Sequence, residues 1–318
     1  MTSAGTPVSA QREPQLAGQT VVVIGGSAGI GLETARLARA EGAEVILTGR
    51  NPDRLEQAAL AADAQRTAAF DAGDAAALRT FFQDLPAPID HVMVTAGAPR
   101  YGPLLEMDET QVRHAVSDRV VLALEIARNA AVKIRPAGTL LLMGGTGSRR
   151  VGPGLGIGAA TTAMLPPFTA ALALELAPVR VNLIAAGFVD TPLSASLLGD
   201  RLEERRHELR ATLPIGRVVG PADVASLAVH IMTNTALTGA TYDVDGGQQF
   251  VSLQVARGSA ALRPANAHSA QSGRGLRGYF HTSWIPCVLA PLSPRFADTG
   301  SMKSGERTLE AGPVVAQC

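Results

Sequence analysis

The stretch Thr20-Val21-Val22-Val23-Ile24 runs without a spacer into Gly25-Gly26-Ser27-Ala28-Gly29-Ile30-Gly31 and then into the helix-like segment Leu32 to Gly42. Unbroken apolar and β-branched residues describe a strand buried on both faces, and the segment after the glycines has a helical period. A tight turn between the two needs positive φ and backbone approaching with no Cβ in the way, which glycine supplies without steric cost. It also leaves free N–H groups at a helix start, the place for the pyrophosphate of a dinucleotide. Glycines end strands for purely structural reasons too, so the strand before and the helix after carry the inference. Gly25, Ser27, Gly29, Ile30 and Gly31 are expected to line the site.

The alternation repeats as far as residue 251. Short apolar runs at 20–24, 44–48, 66–70, 90–94, 138–143, 179–184 and 241–244 read as seven strands separated by stretches of helical period. The expected fold is α/β: a doubly wound, seven-stranded parallel Rossmann fold in a single domain. Asp74 is placed to cap a helix with Leu78, Phe81, Phe82 and Leu85 on one face. A long helix is expected from about Glu109 to Ile134 and another from Pro221. Residues 1–17 are expected as a flexible leader, 18–251 as the dinucleotide-binding domain, and 252–318, where both periods stop, as a tail that is disordered or binds a partner.

Hydrophobic residues make up 46% of the 318, enough for a substantial core, and 28 basic residues balance 28 acidic ones. With no net field there is nothing to draw the chain to nucleic acid or an anionic membrane, which leaves a small molecule as the expected partner. The opening residues are polar, and no apolar run is read as reaching the roughly 20 residues that span a bilayer, so a cytoplasmic protein is expected. Cys287 and Cys318 are the only cysteines, so residues 1–286 hold no thiol for a disulfide, a metal or nucleophilic chemistry, and no metal site is expected.

The tip of the second strand discriminates between dinucleotides. A carboxylate there accepts from the ribose 2′-hydroxyl of NAD, whereas an arginine pairs with the 2′-phosphate of NADP. The tip reads Thr48-Gly49-Arg50-Asn51. A guanidinium without a carboxylate favours NADP(H) over NAD(H); the bland alternative for Arg50 is a solvated loop arginine.

These residues resemble the short-chain dehydrogenase/reductase family, over roughly residues 17–251. Ile24 to Gly31 is similar to the family's TGxxxGxG with isoleucine for threonine, Phe70-Asp71-Ala72 to the segment whose aspartate touches the adenine, and Val94-Thr95-Ala96-Gly97 stands where the family usually has NNAG. Val181 to Pro192 resembles VNxIxPGxVxTP with Ala186 for proline, and Pro214 to Arg217, Pro221 to Ala225 and Val244 to Gly247 complete the pattern. The resemblance implies that Asp71, Ala72, Ala96, Gly97, Gly187, Val189 and Thr191 join the glycine loop and Arg50 around the cofactor, with Thr191 bonded to the nicotinamide carboxamide. It also implies a homodimer or homotetramer built on the long helix around Val120 and on a helix Phe168 to Leu176.

The family's catalytic helix carries a YxxxK pair, a phenol as acid/base and an ammonium that lowers its pKa, with a serine polarising the carbonyl. Here the matching positions are Gly158 and Thr162, the serine position falls near Gly145, and the helix asparagine position near Ser117 or Asp118. The chain has two lysines, Lys133 and Lys303, and three tyrosines, Tyr101, Tyr242 and Tyr279, and none forms such a pair. Pro166 and Pro167 kink or begin that helix, and Gly152 to Gly158 are expected as loop.

Replacement chemistry has to come from the loops at the carboxyl edge of the sheet. Tyr101 is either a proton donor or a pocket wall. Arg149 and Arg150 suit an oxyanion or an anionic substrate, or else surface salt bridges. Ser148 and Thr146 polarise a carbonyl but are weak acids. His114, with Asp118 one turn later, is a titrating pair or a plain helix-surface pair. Tyr101, Ser148 and Arg149 lead as catalytic candidates.

Two functions lead, with a non-redox isomerase or lyase on the same fold as a third that no residue positively supports. One is an NADP(H)-dependent oxidoreductase acting on a carbonyl or alcohol, its proton delivered by a non-standard residue or water. The other is a catalytically silent dinucleotide-binding regulator, or the inactive partner in a hetero-oligomer. Specificity is expected from the amphipathic, charged segment around 190–212.

Overall fold

The computed structural model describes residues 13–251. Strands β1 (Thr20–Ile24), β2 (Glu44–Gly49), β3 (Arg66–Ala69), β4 (Ile89–Val94), β5 (Ile134–Gly145), β6 (Arg180–Ala186) and β7 (Thr241–Val244) form one parallel sheet in the order β3-β2-β1-β4-β5-β6-β7. The helices are α1 (Gly29–Ala40), α2 (Pro52–Ala62), α3 (Ala75–Asp84), α4 (Glu109–Val116), α5 (Leu122–Ala130), α6 (Gly156–Ala163), α7 (Leu165–Glu175), α8 (Pro192–Leu198), α9 (Leu202–Thr212) and α10 (Pro221–Thr233). Strand order reverses between β1 and β4, which opens a crevice at the carboxyl ends of the strands.

The sheet is covered on both faces, and the period of two along each strand divides its side chains between them. Val22, Ile24, Val92 and Leu140 pack with Phe81 and Phe82 of α3, Ile126 of α5 and Leu172 of α7. Val21, Val23, Leu47 and Leu141 pack with Ala35 and Ala38 of α1 and with Val224 and Ile231 of α10. Burial of each such apolar side chain contributes about 2 kcal/mol, and nearly continuous burial is why β1 reads as an unbroken apolar run, whereas β4 and β6, equally buried, also hold Asp90, His91, Arg180 and Asn182. Asp74 caps α3 as expected, accepting from the N–H groups of Ala76 and Ala77 at 2.9 and 3.1 Å.

Arg180 is a cation inside this core. Its guanidinium, 5% exposed, donates to the carbonyls of Ile231 and Met232 at 2.8 Å and of Asn234 and Leu237 at 3.1 Å, and so ties β6 to the end of α10. Carbonyls at a helix C-terminus are the natural partners of a buried charge with no carboxylate.

All seven expected strands are present, with small shifts at their ends except in β5. That strand starts at Ile134, where helix was expected, because Lys133 is drawn back to the sheet: its ammonium donates to the carbonyls of Gln83 and Leu85 at 3.1 and 3.0 Å, and its own carbonyl accepts from Ile89. The long helix therefore ends at Ala130, and it is also interrupted by a π-turn at Ser117–Val121. At the N-terminus, Leu16 is fully buried and its N–H donates to the carbonyl of Glu41 at 2.9 Å, so the folded domain reaches into the stretch expected as leader.

One reading of composition is corrected as well. Gly156–Glu175 spans 20 residues with mean hydropathy 1.4, long and apolar enough to cross a membrane by length and composition, and half of it is buried in this domain. Its apolarity serves the core, since Leu165 and Leu172 lie in the main cluster. The expectations for residues 252–318, Cys287 and Cys318 among them, lie outside the described residues.

Candidate functional site

The chain turns at the end of β1 because the neighbouring tips leave no room for side chains. The N–H of Gly26 donates to the carbonyl of Thr48 at 2.9 Å, and the Thr95 hydroxyl donates to the carbonyl of Gly25 at 3.0 Å. A Cβ on Gly25, where φ is +98°, would lie 2.7 Å from the nitrogen of Ala96; one on Gly31 would lie 2.5 Å from the carbonyl oxygen of Gly25. Both glycines are thus forced by close packing of the turn on the tip of β4.

The turn delivers α1 with an open end. Ala28, extended at the N-cap, offers no capping side chain, and the first turn holds no acidic residue. Its N–H groups and the positive end of the helix dipole are left for an anion at the crevice. Gly29 faces Thr191, whose Cγ2 would stand 3.3 Å from a Cβ there, and Ser27 lies beside Gly49. Ile30, Ala72 and Ala96 are half-buried around the same edge, and Gly97 packs so close to Asp118 that a Cβ would lie 2.4 Å from its carbonyl oxygen.

Arg50 is exposed at the tip of β2, and among the described residues it has no ion pair or hydrogen bond. Asp71 is exposed at the tip of β3, one oxygen accepting from the N–H of Gly73 at 3.0 Å. Across the crevice, Thr191 caps α8 by accepting from the N–H of Ser194 at 3.2 Å, and Val189 is buried. Gly187 has no room for a side chain, since a Cβ would meet Oε1 of Gln248 at 2.5 Å; that oxygen accepts from the N–H of Phe188 at 2.7 Å. The donor set fits a dinucleotide: an uncapped helix for the pyrophosphate, a free guanidinium at one end and a threonine at the other.

The opposite wall departs from expectation in several places. Gly156 to Gly158 are helical rather than loop, because a turn from Gly152 to Leu155, closed by a 3.1 Å bond, starts α6 early. The break before Pro166 and Pro167 falls at Met164. Thr162 is buried, and its hydroxyl donates back to the carbonyl of Gly158 at 2.9 Å, an internal bond that supplies no charge.

Arg149 is not directed at a substrate: it pairs with Asp243 and donates to Oε1 of Gln249 at 2.7 Å, which locks the loop after β5 to β7. Burial pushes the Asp243 carboxyl up, but the bonds from Arg149 and Gln249 outweigh it and hold it below its ordinary value. Ser148 is half-buried beside it, without a hydrogen bond among the described residues, and Thr146 is buried. His114 and Asp118 are not a pair, because Asp118 accepts from Arg100 at 3.1 and 3.2 Å.

Tyr101 follows Arg100 and lies against α6, with 55% of its surface open. Burial of the phenol raises its pKa above the ordinary value, and the charge of Arg119 opposes the rise. Sequence reading missed Arg119. It sits in the π-turn and lines a small cavity with Val94, Ala96, Leu122 and Met143, and a π-turn leaves no mark in residue pattern. Arg206 was missed too; it donates to both oxygens of Asp190, at 2.9 and 2.6 Å, and fastens α9 over the loop that carries Thr191.

A family model described as Enoyl-(Acyl carrier protein) reductase matches residues 25–249. The chain is 27% identical over 250 residues to short-chain dehydrogenase/reductase malC of Malbranchea aurantiaca, covering 73% of this chain and 95% of that one. It is 29% identical over 250 residues to the 3-oxoacyl-(acyl-carrier-protein) reductase FabG of Chlamydia trachomatis serovar D, covering 73% and 98%. Among solved structures it is similar to a small-chain dehydrogenase in complex with NADPH, with a TM-score of 0.63 and 27% identity over 73% of this chain and 99% of that one. A short chain dehydrogenase/reductase family protein gives 0.66 and 30% over 74% and 100%.

Proposed function

Since the chain belongs to the short-chain dehydrogenase/reductase family and is an oxidoreductase of that type, we propose that it uses NADP(H) in preference to NAD(H) to interconvert a small carbonyl compound and its alcohol, with a proton donor other than a YxxxK tyrosine. The observation that carries this reading is the pairing of an uncapped α1 N-terminus with a free Arg50 at the neighbouring strand tip. The relative solved with NADPH supports it. When bound, the cofactor supplies or takes a hydride. The chain's part is to hold the pyrophosphate on α1, the 2′-phosphate at Arg50, the adenine near Asp71 and Ala72, and the nicotinamide beside Gly187, Val189 and Thr191, and to offer a proton at the wall formed by α6.

We read the working form as a cytoplasmic homodimer or homotetramer. Leu174 of α7, 82% exposed, supports one of the two contact helices, whereas Val120 packs partly into the protein's own core.

The test is a fluorescence titration with NADPH and NADH, followed by a panel of carbonyl compounds. Tighter binding of NADPH with oxidation of the cofactor is expected. Binding without turnover across the panel would instead favour the silent dinucleotide-binding protein.

A further inference from the structure

Position 158, the counterpart of the family's catalytic tyrosine, is glycine, and the ring of Tyr101 occupies the space a side chain would take. A Cβ on Gly158 would stand 3.1 Å from Cε1 and 3.5 Å from Cδ1 of Tyr101. One turn-face away, Gly156 is covered by Leu104, whose Cδ1 would lie 2.6 Å from a Cβ. The loop carrying Tyr101 is fastened on both sides: the N–H of Gly102 donates to the carbonyl of Gly154 at 2.8 Å, and Arg100 pairs with Asp118 at 3.1 Å. The Tyr101 ring is thus anchored against α6, while 55% of the residue's surface stays open.

The cation of the missing pair has a counterpart too. Thr162 stands at the lysine position with its hydroxyl turned back into the helix. Arg119, by contrast, reaches the cavity beside Ala96 and Met143, at the carboxyl ends of β4 and β5. A π-turn adds a residue to the helical repeat and re-aims the side chains around it, a device common at functional sites. Because Asp118 is engaged by Arg100, Arg119 has no ion pair and no hydrogen bond among the described residues. Its charge acts on the Tyr101 phenol, which burial otherwise makes harder to ionise.

We propose that Tyr101 is the proton donor of this enzyme and that Arg119 is the positioning cation that stabilises its conjugate base, the pair replacing the tyrosine and lysine absent from positions 158 and 162. The proposal rests on the reductase reading above. In the reducing direction the carbonyl carbon gains a hydride from NADPH. The carbonyl π pair moves to oxygen and takes the Tyr101 hydroxyl proton, giving the alcohol, NADP⁺ and a tyrosinate that the charge of Arg119 stabilises until water reprotonates it.

Phenolate absorbance during a pH titration, and carbonyl-dependent NADPH oxidation, are measured for the full chain and for Tyr101→Phe, Arg119→Met and Arg119→Lys. Subtracting the Tyr101→Phe titration isolates one tyrosine of three. Arg119→Met is expected to raise the Tyr101 pKa by about one unit, and Arg119→Lys to restore it. Tyr101→Phe is expected to lower turnover about 100-fold with NADPH affinity unchanged. Full turnover in Tyr101→Phe overturns the donor assignment, and a Tyr101 titration indifferent to Arg119→Met overturns the pair. A wild-type protein that binds NADPH but reduces nothing overturns the reductase reading, and the donor assignment with it.

Discussion

The turn after β1 and the start of α6 are both glycine-rich, and they use glycine for opposite reasons. At Gly25 and Gly31 the turn's own backbone and the tip of β4 fill the space, so nothing larger fits and α1 starts without a capping side chain. At Gly156 the space is filled by the Leu104 side chain, and at Gly158 by the Tyr101 ring together with the carbonyl oxygen of Arg100. In one region the chain's own turn and the tip of β4 crowd the glycines; in the other the crowding comes mainly from side chains across the crevice. On the donor assignment proposed above, a neighbouring loop supplies the side chain that α6 does not carry.

The contrast breaks if the two sets of glycines respond alike to substitution. Gly31→Ala pushes a methyl into backbone and is expected to cost about 3 kcal/mol and to abolish NADPH binding. Gly158→Ala meets the Tyr101 ring at 3.1 Å and the Arg100 carbonyl oxygen at 3.3 Å, contacts that a few tenths of an ångström of adjustment relieve, and it gains helix propensity, so stability should stay within about 1 kcal/mol with NADPH affinity unchanged. Urea denaturation with a fluorescence titration reads both. Arg180→Met tests the frame common to the two regions: losing a buried cation leaves carbonyls at the end of α10 unpaired, a cost of about 3 kcal/mol in urea denaturation with unchanged affinity per folded molecule.

His91 lies under the glycine-loop half, its Nε2 2.8 Å from Oε1 of Gln19. Burial, then the charges of Arg180 and Arg135, push its pKa down from 6.5 to about 3. The unfolded chain takes up this proton first as pH falls. Stability is therefore unaffected above about pH 6.5 and lost between there and pH 3, by about 2 kcal/mol at pH 5. Comparing wild type with His91→Gln at pH 7 and pH 5 checks this; equal pH dependence in the two would contradict it. The smallest effect sharpens the cofactor side: Arg50→Asp is expected to weaken NADPH about tenfold while sparing NADH, and equal weakening of both would remove the 2′-phosphate assignment.

The cradle was legible because its determinants are contiguous. Strand, turn and helix lie within residues 20–40, so the pattern shows in one stretch of sequence, although the packing that forces Gly25 and Gly31 comes partly from Thr95 and Ala96 at the tip of β4. The central strands were legible because two-sided burial makes them largely apolar, and the edge strands β3 and β7, which are little buried, by their spacing between helical stretches. The wall was not, since its determinants are distant in sequence. The proximity of Tyr101 to Gly158 arises only once β4 and β5 are paired, and the aim of Arg119 depends on a π-turn within an otherwise regular helical pattern. Arg149, a reasonable anion partner from its loop position, is claimed by Asp243 more than ninety residues later in the chain.

Tracing the hydride decides most directly whether this crevice reduces a carbonyl. With NADPH deuterated at C4 and a carbonyl compound that supports turnover, deuterium is expected on the carbinol carbon of the product, with wild type far faster than Tyr101→Phe. Deuterium retained on the nicotinamide across a broad carbonyl panel, in protein that binds NADPH tightly, would contradict a reductase and leave a dinucleotide-binding protein without redox chemistry.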